Sequence, residues 1–221
     1  MLKIILPVLL CILILPGCFE VVEKIDLHDD GSGSFQFIVN MSKSKTRINS
    51  MMKMKTINGR PVPTRLDITQ KTDEIKNLLA KCKGISNVTS TLDLENYIAT
   101  VKCSFDKIEN LNLAFRRVAE KQKAKASDVQ DSYAYQAVTK VFSRMGNFSL
   151  KIAYDKLSNA DKEIFNDANY TGIMRFDSEV KSASNSDSKI AADKRAVMLR
   201  ESVLDIITKK KTIENTITLI K

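Results

Sequence analysis

The stretch Val21–Met41, VVEKIDLHDDGSGSFQFIVNM, constrains the fold more than any other part of the chain. Apolar and polar residues alternate on both sides of a glycine-rich centre that runs from Asp29 to Gly33. Alternation with a period of two places every second side chain on the same face of an extended strand. In the second arm, the residues of one face are Phe35, Phe37, Val39 and Met41. The pattern therefore predicts a β-hairpin whose turn is the glycine-rich centre.

The same turn also has features of a calcium-binding loop. Asp26, His28 and Asp30 stand at alternate positions before Gly31. An EF-hand loop that began at Asp26 would need a glutamate at its twelfth position, and this chain has Phe37 there. The residues favour the hairpin turn.

Helices and a second pair of strands follow the hairpin. Ser42 can cap a helix that reaches about Lys55, with Ile48, Met51 and Met52 on one side. After a loop with Asn-Gly and two prolines, apolar spacing predicts a helix over 69–83. Next, NVTSTLDLENYIATVKCSF contains two alternating runs, and Asp106 with Glu109 makes a capping pair for a third helix. We therefore expect 18–126 to form a β-β-α-α-β-β-α unit.

The remaining part, 127–221, is less regular. YAYQAVTKVFSRM, YTGIMRFDSEV, RAVMLRESV and ENTITLI are typical of strands, FSLKIAYDKLSNADKEIF of a helical region, and KSASNSDSK of a turn or loop. This part is either a second small α+β layer or a continuation of the first sheet. The expected fold class is α+β, with a mixed or antiparallel β-sheet built from hairpins and helices packed on one face.

The start of the chain has the layout of an export signal. Lys3 is followed by an apolar run over 4–15, which is too short to span about 30 Å of hydrocarbon. Leu15–Cys18, LPGC, resembles the bacterial lipobox. The resemblance implies that 1–17 are a signal peptide and that Cys18 carries lipid, with acyl groups such as palmitate. An ordinary cleaved secretory signal is the alternative.

Export changes the role of the four cysteines. Cys11 would leave with the signal peptide and Cys18 would carry lipid, which leaves Cys82 and Cys103 inside the fold. An exported compartment permits a disulfide between them, which would contribute about 3 kcal/mol. Both residues also lie on apolar faces, where free thiols pack as small hydrophobic groups, so both alternatives stay open. Two cysteines and one histidine, His28, predict no metal site.

Positive charge is concentrated in one segment. Between Asp30 and Asp67 the chain has no acidic residue and seven basic ones: Lys43, Lys45, Arg47, Lys53, Lys55, Arg60 and Arg65. Export argues against nucleic acid as the partner. Lipid on Cys18 would hold this segment close to a bilayer, where cations attract anionic headgroups. The alternative is a helix packed on the sheet with solvated lysines.

Sequence motifs for catalysis are absent. With His28 as the only histidine, one chain cannot assemble a Ser-His-Asp triad or a multi-histidine metal site. Gly31–Gly33 precedes a predicted strand, which is the wrong context for a phosphate-binding loop. A carboxylate pair needs no fixed motif, and a hydrolase of that kind is the third hypothesis. We expect no enzyme, no cofactor and no catalytic residue.

The lipobox, DGSGSF followed by IVNMSKSKTRINSMM, and RFDSEVKSASN resemble bacterial lipoproteins of the Bacteroidota type. The chain is also similar to lipoproteins with an LppM-like exported domain, in which an α/β body is linked to lipid binding. This resemblance implies a membrane-anchored envelope protein and transfers no active site. Phe19 replaces the aspartate that retains some lipoproteins in the inner membrane, so we expect the outer membrane, facing the periplasm.

Two functions fit these observations. The first is a non-enzymatic envelope lipoprotein that binds a lipid-like ligand or a protein partner between its sheet and helices. The second is a structural or assembly factor of the outer membrane that acts by protein docking. A groove over the sheet, wide enough for an acyl chain, would favour the first.

Overall fold

The computed structural model describes residues 19–57, 60–121, 130–146 and 151–221. The predicted signal peptide and Cys18 lie outside these ranges. The strands, in chain order, are β1 (Glu20–Leu27), β2 (Gly33–Asn40), β3 (Thr56–Ile57), β4 (Arg60–Pro61), β5 (Ile85–Asp93), β6 (Ile98–Phe105), β7 (Tyr133–Gln136), β8 (Val141–Arg144), β9 (Asn169–Phe176), β10 (Val180–Ala183), β11 (Lys189–Ile190), β12 (Ala196–Ser202) and β13 (Asn215–Leu219).

Six α-helices lie among the described residues, and two short 3-10 helices, Ser42–Ser44 and Glu163–Phe165, accompany them. The α-helices are α1 (Lys45–Met51), α2 (Arg65–Ala80), α3 (Ile108–Lys121), α4 (Lys151–Asp155), α5 (Asn159–Lys162) and α6 (Val203–Ile207). No helix in the described ranges is both long and apolar enough to cross a membrane.

The strands form a seven-stranded sheet in the order β11-β12-β9-β1-β2-β6-β5 and a four-stranded sheet in the order β10-β13-β8-β7. The predicted first hairpin is confirmed: β1 pairs antiparallel with β2, and Glu20 lies opposite Asn40. On its other side β1 pairs in parallel with β9. Strands from the second half of the chain therefore extend the sheet that the first half begins. The α+β fold class is confirmed.

One continuous core fills the space between the large sheet, helices α2 and α3, and the small sheet. Ile25, Phe35 and Cys103 contribute to it from the large sheet, Leu111 from α3, and Phe142 from β8. Each of these five side chains is at least 93% buried. Alternate residues of β1, β2 and β6 reach this core because successive side chains of a strand point to opposite faces.

A buried ion pair joins the two sheets. Arg144 of β8 donates from Nε to Glu23 Oε1 of β1 at 2.7 Å and from Nη2 to Glu23 Oε2 at 3.0 Å. Both side chains are almost fully buried. The Arg144 guanidinium also lies 5.0 Å from the centre of the Tyr133 ring, and Arg144 Nη1 donates to the carbonyl of Met145. A charge in this position needs such partners, because burying it alone is costly.

Three predicted elements differ in extent from those observed. The helix expected from Ser42 to Lys55 is a 3-10 turn followed by α1, which ends at Met51 and has no side-chain cap. The helix expected over 69–83 begins earlier, at Arg65, because Thr64 and Asp67 form a capping box. The strand expected in YAYQAVTKVFSRM is a hairpin, β7 and β8, since the chain turns between them with Lys140 at a φ of +55°.

The tail of the chain follows the prediction more closely. Strands β9, β12 and β13 occupy three of the predicted runs. The stretch KSASNSDSK is not entirely loop, because its first three residues complete β10, which pairs with β13.

Candidate functional site

An apolar groove of about 740 Å³ lies over one end of the large sheet. This is the end at which β1 begins and β2 finishes. The floor of the groove is formed by sheet residues whose side chains share one face, together with neighbours in the β5–β6 turn: Val39, Met41, Leu92, Leu94, Tyr97 and Ala99. The groove therefore covers the end of the same face whose other end carries the main core.

Two walls enclose the floor. One wall comes from α1, the β3–β4 hairpin and the start of α2, and consists of Ile48, Met51, Met52, Ile57, Pro61, Val62, Pro63 and Ile68. The other wall comes from the α4–α5 connection and the 3-10 helix after it, and consists of Lys156, Leu157, Ser158 and Phe165. Within the described part of the chain, Lys156 is the one charged residue that lines the groove.

Local sequence explains why α1 forms a wall. Ile48, Met51 and Met52 have spacings of three and four residues, so they share one helix face. That face is turned toward the groove, and the three side chains are half-buried. The Tyr97 hydroxyl donates a hydrogen bond to the side chain of Asn49, which ties α1 to the floor. Methionine side chains adapt their shape to irregular apolar ligands.

The groove has the chemistry of a ligand-binding site for an apolar molecule. Ligand pockets measure about 300–1,000 Å³ and are lined mainly by apolar side chains with a few polar groups. Here the polar groups stand on one wall, at Lys156 and Ser158, and on the floor, at Tyr97. This arrangement suits a molecule with a long apolar part and a polar end.

The first described residue, Phe19, lies beside the groove. Its ring packs edge-to-face on Phe165 at 5.6 Å, and Phe165 also lines the groove. Phe19 accepts a hydrogen bond at its carbonyl from the backbone of Asn169. The next residue, Glu20, lies opposite Asn40, which directly precedes the floor residue Met41.

The seven basic residues predicted to meet a membrane surface lie in the segment that includes α1 and reaches the first residue of α2. Among them Lys45 is partnered by Glu95 at 3.6 Å and by Asn96 at 3.3 Å, and Arg47 is half-buried with interactions of its own. The side chain of Arg60 lies outside what the structure describes. The exposed cations are Lys43, Lys53, Lys55 and Arg65.

Two large apolar side chains are exposed among these cations. Met54 is 54% exposed and Leu66 is 65% exposed. The backbone N–H of Val62 donates to the carbonyl of Lys55 at 3.1 Å, so the chain that follows Met54 pairs with the chain that leads into α2. Sequence periodicity missed this pair, because neither residue belongs to an apolar face that is buried.

Cys82 and Cys103 are free thiols and both are buried. The disulfide that the sequence left open is therefore not formed. The Cys82 thiol, at the end of α2, donates to the carbonyl of Leu78 at 3.3 Å and so points back along the helix. Burial raises the pKa of the Cys103 thiol to about 11, with a smaller contribution from Cys82.

The turn between β1 and β2 lies at the opposite end of the sheet from the groove. Its carboxylates do not converge on a common point. Asp29 pairs with Lys140 at 2.6 Å, and Asp26 lies 3.5 Å from Arg175. Asp30 accepts a hydrogen bond from the backbone of Ser32, which stabilises the turn. Within the described ranges no group of acidic, histidine and cysteine side chains could hold a metal ion.

His28 lies beside this turn and is half exposed, and its Nδ1 is 3.0 Å from Asp177. A second acidic cluster lies elsewhere, where burial raises the pKa of Glu201 and the neighbouring Asp187 is paired with Lys211 at 2.7 Å. Neither Glu201 nor Asp187 lines the groove. Among the described residues that line the groove, none carries a carboxylate.

Comparisons with known proteins were made at the level of sequence and of structure. No family model and no curated protein matches the sequence. Among solved structures, the folded domain of the LppM protein of Mycobacterium tuberculosis, determined by NMR, is similar to this chain with a TM-score of 0.46 and 14% identity. The similarity covers 94% of this chain and 92% of that domain.

Proposed function

We propose that this chain is a lipid-anchored envelope protein that binds the acyl part of a lipid-like molecule in its groove, at a membrane surface. The observation that carries the proposal is the apolar groove of about 740 Å³ at the end of the sheet where Phe19 lies. The role is binding, without a catalytic step and without a cofactor. We place the protein on the outer membrane, facing the periplasm.

The position of the anchor would determine which end of the molecule faces the bilayer. Lipid on Cys18 would be one peptide unit from Phe19, a distance of about 3.8 Å between Cα atoms. Phe19 is itself held by Phe165 and Asn169. A tether this short keeps the groove end of the sheet at the bilayer, so a lipid can pass between bilayer and groove without crossing much water.

The exposed cations and apolar residues beside the groove strengthen the membrane contact. Lys43, Lys53, Lys55 and Arg65 can each contribute about 1 kcal/mol near an anionic surface at low salt. Met54 and Leu66 stand among them and can enter the interface, where burial of each methylene contributes about 0.8 kcal/mol. The apolar face of α1 lines the groove instead of meeting the membrane directly.

Acyl-chain binding is tested with the mature chain carrying Cys18→Ala, delipidated and titrated with a fluorescent fatty acid. Native mass spectrometry of the same protein with palmitate reports the number of chains bound. Ala99→Trp fills the floor of the groove, and we expect it to weaken binding at least ~10-fold. Ala134→Trp is the matched control, because Ala134 lies exposed on β7, away from the groove.

The result that would overturn the proposal is equal affinity in the Ala99→Trp and Ala134→Trp variants, or no binding by the unsubstituted chain. A groove that stays empty while cross-linking in intact cells captures one dominant protein would favour the docking function instead.

The membrane contact is tested separately with vesicles that contain phosphatidylglycerol. Replacing Lys43, Lys53, Lys55 and Arg65 together by Gln should weaken vesicle binding of the Cys18→Ala chain at least ~10-fold at low salt. The control replaces four exposed cations that lie away from the groove, Lys181, Lys189, Lys194 and Arg195, and so removes the same charge. If both sets weaken binding equally, the attraction depends on net charge and the basic segment has no special role.

A further inference from the structure

The expected attachment point of the anchor is so close to the groove that the anchor can reach the groove of its own molecule. We propose that the acyl chain carried by Cys18 occupies the groove of the same molecule whenever no bilayer is available. This inference rests on the proposed function, because it requires both lipid on Cys18 and a groove that accepts acyl chains. It adds a specific occupant: the protein's own anchor.

Position is the first argument. Phe19 directly precedes Glu20, which pairs with Asn40 at the end of the groove floor, and the Phe19 ring packs on Phe165 in the groove wall. Its carbonyl is hydrogen-bonded to the backbone of Asn169, so the residue is fixed on both sides. An anchor attached at Cys18 starts within about 3.8 Å of a residue that contacts the groove wall. An acyl chain is much longer than this gap.

Energetics supply the second argument. Moving an acyl chain from water into an apolar site is favourable by about 0.8 kcal/mol for each methylene that is buried. The groove offers apolar lining from Val39, Leu92 and Ile48 among others. Attachment in the same molecule also gives the chain an effective concentration of the order of millimolar. The tethered chain therefore raises the apparent dissociation constant of a free fatty acid by a factor of one plus the effective concentration divided by the tethered chain's own dissociation constant.

A bilayer reverses this balance. Hydrocarbon is as apolar as the groove, so the chain gains little by staying in the protein once a membrane is present. The exposed cations Lys53, Lys55 and Arg65 then add attraction to anionic headgroups. Insertion of the anchor would empty the groove at the moment when lipid from the membrane becomes available to it.

The test compares lipidated protein with the Cys18→Ala chain, both free of detergent, using the same fluorescent fatty acid. We expect lipidation to weaken the apparent affinity for the probe at least ~10-fold. We expect addition of phosphatidylglycerol vesicles to restore it. Sedimentation should show that lipidated protein is monomeric, whereas lipidated Ala99→Trp protein self-associates because its anchor has no groove to enter.

The outcomes separate the two proposals. If both proteins bind the probe equally, or if lipidated protein with an intact groove self-associates, the inference about the anchor is overturned and the groove remains a lipid site. If the Cys18→Ala chain does not bind the probe, the proposed function fails, and the inference fails with it. Lipidated Ala134→Trp protein controls for effects of the added tryptophan and should stay monomeric.

Discussion

Removing one partner of the buried pair Glu23–Arg144 should lower the free energy of unfolding by an amount that the structure defines well. Arg144→Met would leave the Glu23 carboxylate buried, with only 5% of its side chain exposed, and without its two charged hydrogen bonds. Breaking a buried pair in this way costs about 3–5 kcal/mol. The cost is large because an uncompensated charge remains in a medium of low polarity.

The double variant Glu23→Leu with Arg144→Met removes both charges at once. Replacing a buried pair by apolar residues of similar size is often close to neutral. Arg144 Nη1 donates to the carbonyl of Ser132 at 3.3 Å, but that carbonyl would keep a partner because it also accepts from the backbone of Met145 at 2.9 Å. The carbonyl of Met145 would lose the Arg144 donor, at a cost of about 1–3 kcal/mol if it stays dry. We therefore expect the double variant to recover at least half of the loss.

Urea unfolding followed by circular dichroism measures these differences. With a slope of about 2 kcal/mol/M, a loss of about 4 kcal/mol moves the midpoint down by about 2 M. A loss below about 1 kcal/mol for Arg144→Met, the value of an exposed pair, would contradict a buried pair that joins the two sheets. A double variant less stable than the single one would refute it as well.

Three further predictions follow from single positions. Gly84 has a φ of +73°, and an added Cβ would lie 2.2 Å from Asp106 Oδ1, so Gly84→Ala should cost at least ~1–2 kcal/mol and lower the midpoint of thermal unfolding. Burial raises the pKa of Cys103 to about 11, so native protein at pH 8 should resist alkylation there while urea-unfolded protein reacts; rapid labelling of native protein would contradict the buried position. The hydrogen bond from Lys140, followed by that from Ser178, lowers the pKa of Asp29 below its usual 3.8. A carboxylate whose pKa is lowered by folding contributes stability above pH 3.8 and loses it as the pH falls through the lower folded-state value. The stability difference between the unsubstituted chain and Lys140→Gln should therefore shrink on acidification below about pH 4, as measured by urea unfolding; a difference that grows would show that the pairing has been misassigned.

Local periodicity was sufficient to predict much of the fold. The alternation around Gly31 is a short-range signal, and it correctly predicted β1 and β2. The face formed by Ile48, Met51 and Met52 was also expected from spacing, and it is the face that lines the groove. Apolar spacing predicts the start of α2 four residues too late, because the first turn of the helix is set by the polar Thr64–Asp67 capping box.

Contacts between distant parts of the chain could not be read from local patterns. The parallel pairing of β1 with β9 places Val22 opposite Thr171. The residue pattern of neither strand predicts that the other is its partner. The hairpin of β7 and β8 was read as one strand because the turn between Gln136 and Val141 contains no glycine or proline. The choice between a disulfide and two free thiols likewise depends on how Cys82 and Cys103 pack, and in the structure both are free and buried.

Local sequence patterns suffice to predict the α+β class, the first hairpin and the basic run from Lys43 to Arg65, because each depends on residues close together in the chain. The groove, in contrast, follows from how distant segments pack. Its floor, its two walls and Phe19 come from segments far apart in sequence, and they meet because pairing of β1 with β9 brings Phe165 to the end of the sheet where Met41 lies. A cavity is the space left between packed segments, so no single segment can encode it.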